Sequence, residues 1–239
     1  MRARVLLVLA TLLAGCLDGM PALLTGPVPD DVRFAPAGDQ VEASLLRGGE
    51  TTAGPEVRLA LLSFRGDVVV EEADGPLRAT MRLAAVADTQ EQARARVLAL
   101  EAVFRIEGDA IVARASTDDP RGASAEIRVL VPPGTPLTGS VEAEDGAVRV
   151  AGSVHDMTLA SARGPVAAAL RGAGALQLRA AMGAVEAALA PTGPARLDVE
   201  ARDGDVLLQL SEGPGVGYDL EAAATGDVSA SMREAALEG

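Results

Sequence analysis

Val141-Glu-Ala-Glu-Asp-Gly146-Ala-Val148 is followed by Leu159-Ala-Ser-Ala-Arg-Gly164-Pro-Val166, Leu178-Arg-Ala-Ala-Met-Gly183-Ala-Val185 and Val199-Glu-Ala-Arg-Asp-Gly204-Asp-Val206. A fifth copy, Leu220 to Val228, carries one extra residue before Gly226, and a sixth, Leu61 to Val68, stands far upstream around Gly66. From Gly146 to Gly226 the glycines are 18, 19, 21 and 22 residues apart. Each copy reads as strand, tight turn, strand, with glycine tolerating the positive φ such a turn demands. Three residues before the glycine stands a small residue, Ala143, Ser161, Ala180, Ala201 or Ala223, suited to a thin interior. A period near twenty marks a solenoid whose units cannot bury an apolar face alone and depend on their neighbours. A sandwich or barrel would share the period-two alternation but not the recurring glycine and small residue at set offsets.

Working outward, alternation also marks the region before the repeats. Val41 to Leu46 reads as a first strand. Val57, Leu59 and Leu61 share one face, followed by Val68 and Val70, then Leu77, Ala79, Met81 and Leu83. One helix is predicted over Thr89 to Ala102, capped by Asp88 with Glu91 at capping-box spacing, its apolar face formed by Ala93, Val97, Leu98 and Ala102. Strands resume at Val103–Ile106, Ala110–Ala113 and Ala125–Val131, the last stopped by Pro132-Pro133-Gly134. The expected fold is therefore mainly β, a layered right-handed solenoid-like stack over residues 39–239 with one inserted helix.

The amino-terminal stretch differs in kind. Arg2 and Arg4 precede an apolar run, Val5 to Leu13, and then Ala14, Gly15 and Cys16, the only cysteine. The run is too short for the ~20 residues of a membrane-spanning helix and has the layout of a secretory signal. Leu13-Ala14-Gly15-Cys16 resembles the lipobox of bacterial lipoproteins. That resemblance implies cleavage after residue 15, diacylation of the Cys16 sulfur, and anchoring by two or more acyl chains, which holds where one chain would not. Leu17 stands where an inner-membrane retention signal would have Asp, so the expected destination is the outer membrane, facing periplasm or surface. A plain secretory signal with an incidental cysteine is the alternative. From residue 16 to 38, Gly, Pro and Asp without a period read as a flexible tether, spanning on the order of 25 Å as a coil and about 75 Å extended.

Composition narrows the function classes. The net charge of −13 falls to about −15 once Arg2 and Arg4 leave with the signal, which argues against a nucleic-acid partner. A lipidated lone cysteine leaves neither a disulfide nor a free thiol. His155 is the only histidine, so a transition-metal site is not expected, and no nucleophile elbow or phosphate loop is present. The acidic turns Glu71-Glu72-Ala73-Asp74, Asp118-Asp119 and Asp203-Gly204-Asp205 have oxygens suited to calcium but lack its known loop motifs, so they read as solvated carboxylates. Arg65-Gly66-Asp67 spells an adhesion triplet, yet it falls where a repeat turn already calls for Gly and Asp.

The early Gly66-Asp-Val-Val-Val strand, the helix, the strand ending at Val131-Pro132 and the serial Gly-x-Val turns together resemble the Toastrack, or adhesin-like, β-repeat domain of bacterial envelope proteins, over roughly residues 55–233. The resemblance implies a right-handed stack of β-layers in an extracytoplasmic setting and brings no catalytic or cofactor-binding residues with it. The chain lacks the transmembrane segments of the group's signalling members. The expectation is a non-enzymatic envelope protein, tied to a membrane by its lipid and binding an envelope protein or polymer. The alternatives are a surface adhesin and a β-helix enzyme acting on polysaccharide. Against that last reading, the chain has no tryptophan and one tyrosine for stacking on sugars.

Overall fold

The computed structural model describes residues 31–212 and 216–234. Among the described residues fifteen strands and one helix follow one another. They begin with β1 (Arg33–Ala37), β2 (Gln40–Thr51), β3 (Val57–Ser63), β4 (Val68–Glu72) and β5 (Leu77–Ala87). Next come α1 (Gln90–Leu98), β6 (Glu101–Glu107), β7 (Ala110–Ser116) and β8 (Ala123–Val131). The repeats supply β9 (Leu137–Asp145), the long β10 (Val148–Arg163), β11 (Val166–Met182) and β12 (Val185–Ala201), then β13 (Val206–Glu212), β14 (Tyr218–Ala224) and β15 (Val228–Glu234).

The three long strands each bend midway and serve two sheets. Residues 148–154 of β10 pair with the first arm of β11, whereas residues 157–163 pair with β9 on one side and the second arm of β11 on the other. The register slips between Val154 and Met157 in β10, and between Gly172 and Gly174 in β11. One sheet therefore runs β1-β2-β5-β8-β4-β10-β11-β12-β13-β15 and the other β6-β7-β3-β9-β10-β11-β12-β14. All pairings from β4 and β3 to the carboxyl-terminal end are parallel, the mark of a solenoid. The antiparallel pairs, β1–β2, β2–β5, β5–β8 and β6–β7, gather at the opposite end.

The upstream repeat around Gly66 takes its place as a rung of the stack. β3 pairs with β9 and β4 with β10, although about eighty residues separate them along the chain. The intervening segment leaves the stack to form β5, α1, β6, β7 and β8, and returns with β8 parallel to β4.

The core lies between the two sheets and repeats rung by rung. Two residues after each corner glycine comes Val68, Val148, Val166, Val185 or Val206, each no more than 1% exposed. Facing them are Leu61, Val141, Leu159, Leu178 and Val199, linked one to the next by strand register and equally buried. With so few aromatics, like stacks on like, and each rung completes the burial of the one before it. The small residue three positions before the glycine lies on the inner side of the corner. Where it is serine, its hydroxyl donates to a neighbouring backbone oxygen, Ser63 to Ala125 and Ser161 to Gly146, so no polar atom is stranded there.

Four expectations need correction. The helix is shorter than residues 89–102, because the chain extends again at Glu101 to pair with β7. Its cap is Thr89 and not Asp88: the Thr89 hydroxyl accepts from the Gln92 N–H, while Asp88 accepts from the Gln40 amide instead. Of the expected apolar face, Ala93 and Val97 are buried but Leu98 is exposed. The tether does not run to residue 38, since Arg33–Ala37 form an antiparallel pair with β2.

Candidate functional site

Each corner of the stack is built from its glycine. A Cβ on Gly146 would lie 2.3 Å from the Gly66 carbonyl oxygen; on Gly164, 2.3 Å from that of Gly146; on Gly183, 2.5 Å from that of Gly164; on Gly204, 2.3 Å from that of Gly183. Gly226 continues the column above Gly204 at 2.9 Å. Residues 66, 146, 164, 183, 204 and 226 therefore form one continuous ladder along an edge of the domain. The expectation of a positive-φ turn accounts for only part of it. Gly66, Gly164 and Gly183 have φ of 120°, 151° and 145°, but Gly204 and Gly226 are not in that region. What all of them share is the rung beneath, so close that no side chain fits.

Several of the charged residues flanking this ladder help to hold it. Asp145 lies between Arg65 and Arg163, 3.4 Å from each. Asp67 accepts from the Ala147 N–H at 2.9 Å and from Arg149 at 2.6 Å. Asp205 accepts the Asp227 N–H in the same way, one rung from the carboxyl-terminal end. The Arg65-Gly66-Asp67 triplet is thus three corner residues with structural partners. Some carboxylates of the acidic turns are used similarly. Glu71 pairs with Arg128, and Glu72 with Arg171 and the Gly134 N–H, while Asp119 accepts from the Arg121 N–H. Among the described residues no group of three metal-ligating side chains converges. His155 sits exposed at the bend of β10, with Nδ1 3.9 Å from Glu56.

Partial burial works against charge on Glu72 and Asp67, yet the donors around them outweigh it. The Gly134 N–H, Arg171 and the Ser153 N–H hold the Glu72 carboxyl below its ordinary 4.5. Arg149 and the Ala147 N–H hold that of Asp67 below 3.8. A depressed folded pKa stabilises above the unfolded value, and the stabilisation is lost as pH falls through the folded one. Glu72→Gln should therefore destabilise at pH 7, and its deficit against the wild type should shrink as pH drops below 4.5, measured by urea unfolding at stepped pH.

A surface lined mostly by small residues is the outer face of the β4–β13 sheet. Five residues past each ladder glycine the chain points outward, and these positions read Glu71, Ala151, Ala169, Ala188 and Gln209. Register sets Ala151, Ala169, Ala188 and Gln209 side by side. The outward row nearer the corner reads Val69, Arg149, Ala167, Glu186 and Leu207. Alanines on the middle rungs, bordered by longer side chains on the outer ones, leave an open trough of about 360 Å³. Its floor of alanines is small and apolar, bordered by Arg149, which Asp67 holds, and by the carboxylate of Glu186. Such a surface can seat a complementary surface, but offers no nucleophile paired with a base. Sequence reasoning passed over this row, although its signal was present: alanine at a constant offset from three successive glycines.

Cys16, the lipobox residues Leu13, Ala14 and Gly15, and the signal of residues 1–15 lie outside the described residues.

No family model and no curated protein matches the chain. The chain is similar to several solved structures, all described only as putative: a cell adhesion protein from Clostridium sporogenes, an adhesin from Bacteroides fragilis and a lipid binding protein from Parabacteroides distasonis. The first is 7% identical, covering 80% of this chain and 100% of its own, with a TM-score of 0.46. The second is 10% identical over 77% and 96%, with a TM-score of 0.25, and the third 10% over 80% and 96%, at 0.24.

Proposed function

We propose that this chain is an extracytoplasmic, non-enzymatic binding module, held to a membrane by lipid on Cys16 and presenting its β-stack to another envelope component, protein or polymer. The observation that carries this reading is the Leu13-Ala14-Gly15-Cys16 motif at the end of the apolar run, in a chain with no second cysteine. The spacing supports it: sixteen residues separate Cys16 from Arg33, where β1 begins, a reach of at most about 55–60 Å. So does the row of alanines on the outer sheet face, a surface suited to contact. Leu17 after the cysteine favours the outer membrane. The resemblance to the Toastrack group belongs to the same reading.

Replacing the sulfur tests it. Cys16→Ser should abolish incorporation of labelled palmitate and move the protein from the membrane pellet to the soluble periplasmic fraction. A Cys16→Ser chain that still pellets with membranes would refute the anchor.

A further inference from the structure

Among the described residues, β14 and β15 are the last rung of the stack. Val228 continues the buried valine column but is 50% exposed, against 1% for Val206 one rung earlier. Leu220 and Met232 continue the columns of Leu197 and Leu210 and are 38% and 57% exposed. In earlier rungs the corner valine N–H donates onward to the next rung: Val148 to Pro165, Val166 to Ala184, Val185 to Asp205, Val206 to Asp227. The same parallel pattern turns the N–H groups of Val228, Ala230 and Met232 to the free edge, and those of Leu220 and Ala222 likewise in β14. Natural sheets guard such edges with charge, proline or a bulge, yet residues 228–232, Val-Ser-Ala-Ser-Met, contain none of these.

We propose that this end docks on the same end of a second copy of the chain, tail to tail about a two-fold axis. A cover must supply two strands at once, at the spacing of the two sheets, with apolar residues in the same columns. The opposite end of the molecule does not fit, because its edges are not level: four strands lie beyond β4 in one sheet and two beyond β3 in the other. β14 and β15 belong to one rung and are level. A two-fold axis perpendicular to both sheets, passing through Ala222 and Ala230, completes both ladders together. It sets Val228 against Met232 of the other copy, and Leu220 against Ala224. In that register Glu221 of one copy faces Ala223 of the other and Asp219 faces Thr225, so no carboxylate of β14 stands directly opposite another. Two seven-residue strands on sheets ~10 Å apart give an end of about 23 by 20 Å, so the pair buries roughly 1,000 Å² in all, the lower bound for a specific association.

The test uses the full chain carrying Cys16→Ser, in sedimentation equilibrium at tens of micromolar. The expected mass is twice 24.2 kDa. Ala230→Pro removes an N–H that points only to the free edge, so it should weaken association at least tenfold while leaving the melting profile of the monomer unchanged. Ala230→Cys, lying on the axis with its counterpart ~5.5 Å away, should form a covalent dimer on mild oxidation, whereas Ala188→Cys, in the trough, should not. If Ala230→Pro fails to fold, the cysteine pair still decides. A monomer, an uncrosslinked Ala230→Cys chain, equal crosslinking by Ala188→Cys, a folded Ala230→Pro chain that stays dimeric, or open-ended polymers would overturn the proposal.

Discussion

Gly164→Ala should destabilise the domain by about 3–5 kcal/mol, the sum of a strained backbone and a forced overlap in a packed stack. The new Cβ would meet the Gly146 carbonyl oxygen at 2.3 Å and its carbon at 2.7 Å, at a φ of 151°. Neither neighbour can yield, because Gly146 is pinned in the same way against Gly66. For a domain of this size that corresponds to a fall in Tm on the order of 10 °C. Two further variants separate the causes. Gly204→Ala has the same clash, 2.3 Å from the Gly183 oxygen, without a positive φ, so most of the loss should persist. Gly134→Ala has a φ of 76° but nothing within 4 Å, so only the conformational cost of about 1–2 kcal/mol should appear. Thermal and urea unfolding of the three variants measures this directly. A loss at Gly204 no larger than that at Gly134 would mean that turn conformation, not stacking, selects the glycines.

The second large effect is expected at Leu178. It is fully buried at the centre of the inner column, with Leu159 on one side and Val199 on the other. Leu178→Ala should cost about 3–5 kcal/mol, from lost burial plus a cavity that rigid strands on both sides cannot collapse to fill. The comparison is Leu220→Ala in the last rung. Leu220 is 38% exposed and only one rung lies against it, so the expected loss is about 1 kcal/mol or less. In the presence of tail-to-tail pairing the Leu220 value should rise with protein concentration, because the second copy then completes its burial.

Much of this architecture was legible along the chain. The column of valines two residues past each glycine, the small residue three before it, and the alternation around Leu59, Leu178 and Leu197 all follow from side chains that point alternately in and out of a strand. The helix was legible too, but its cap and its end were not. Asp88 and Thr89 are both good capping residues, and the choice fell to Thr89 once Asp88 was drawn to Gln40 across the β2–β5 pair. The extension from Glu101 was set by β7, a long-range partner that local propensity does not register. The candidate surface was the least legible part. Its alanines at 151, 169 and 188 look unremarkable one at a time, and become a trough only when parallel register sets them in a row.

By itself, then, the sequence determined the rung: which residues face inward, where the chain turns, and that each unit needs a neighbour to bury its apolar face. It also carried the Cys16 motif, which is local chemistry and depends on no fold. Tertiary structure alone decided the rest. It inserted the Gly66 rung beneath Gly146 across some eighty residues, and it sent the two halves of each long strand into different sheets. It also gave the glycines their strictest reason for being glycine. A turn's dihedral angles belong to a few neighbouring residues, whereas the approach of one rung's carbonyl to the next rung's α-carbon exists only after the stack has formed.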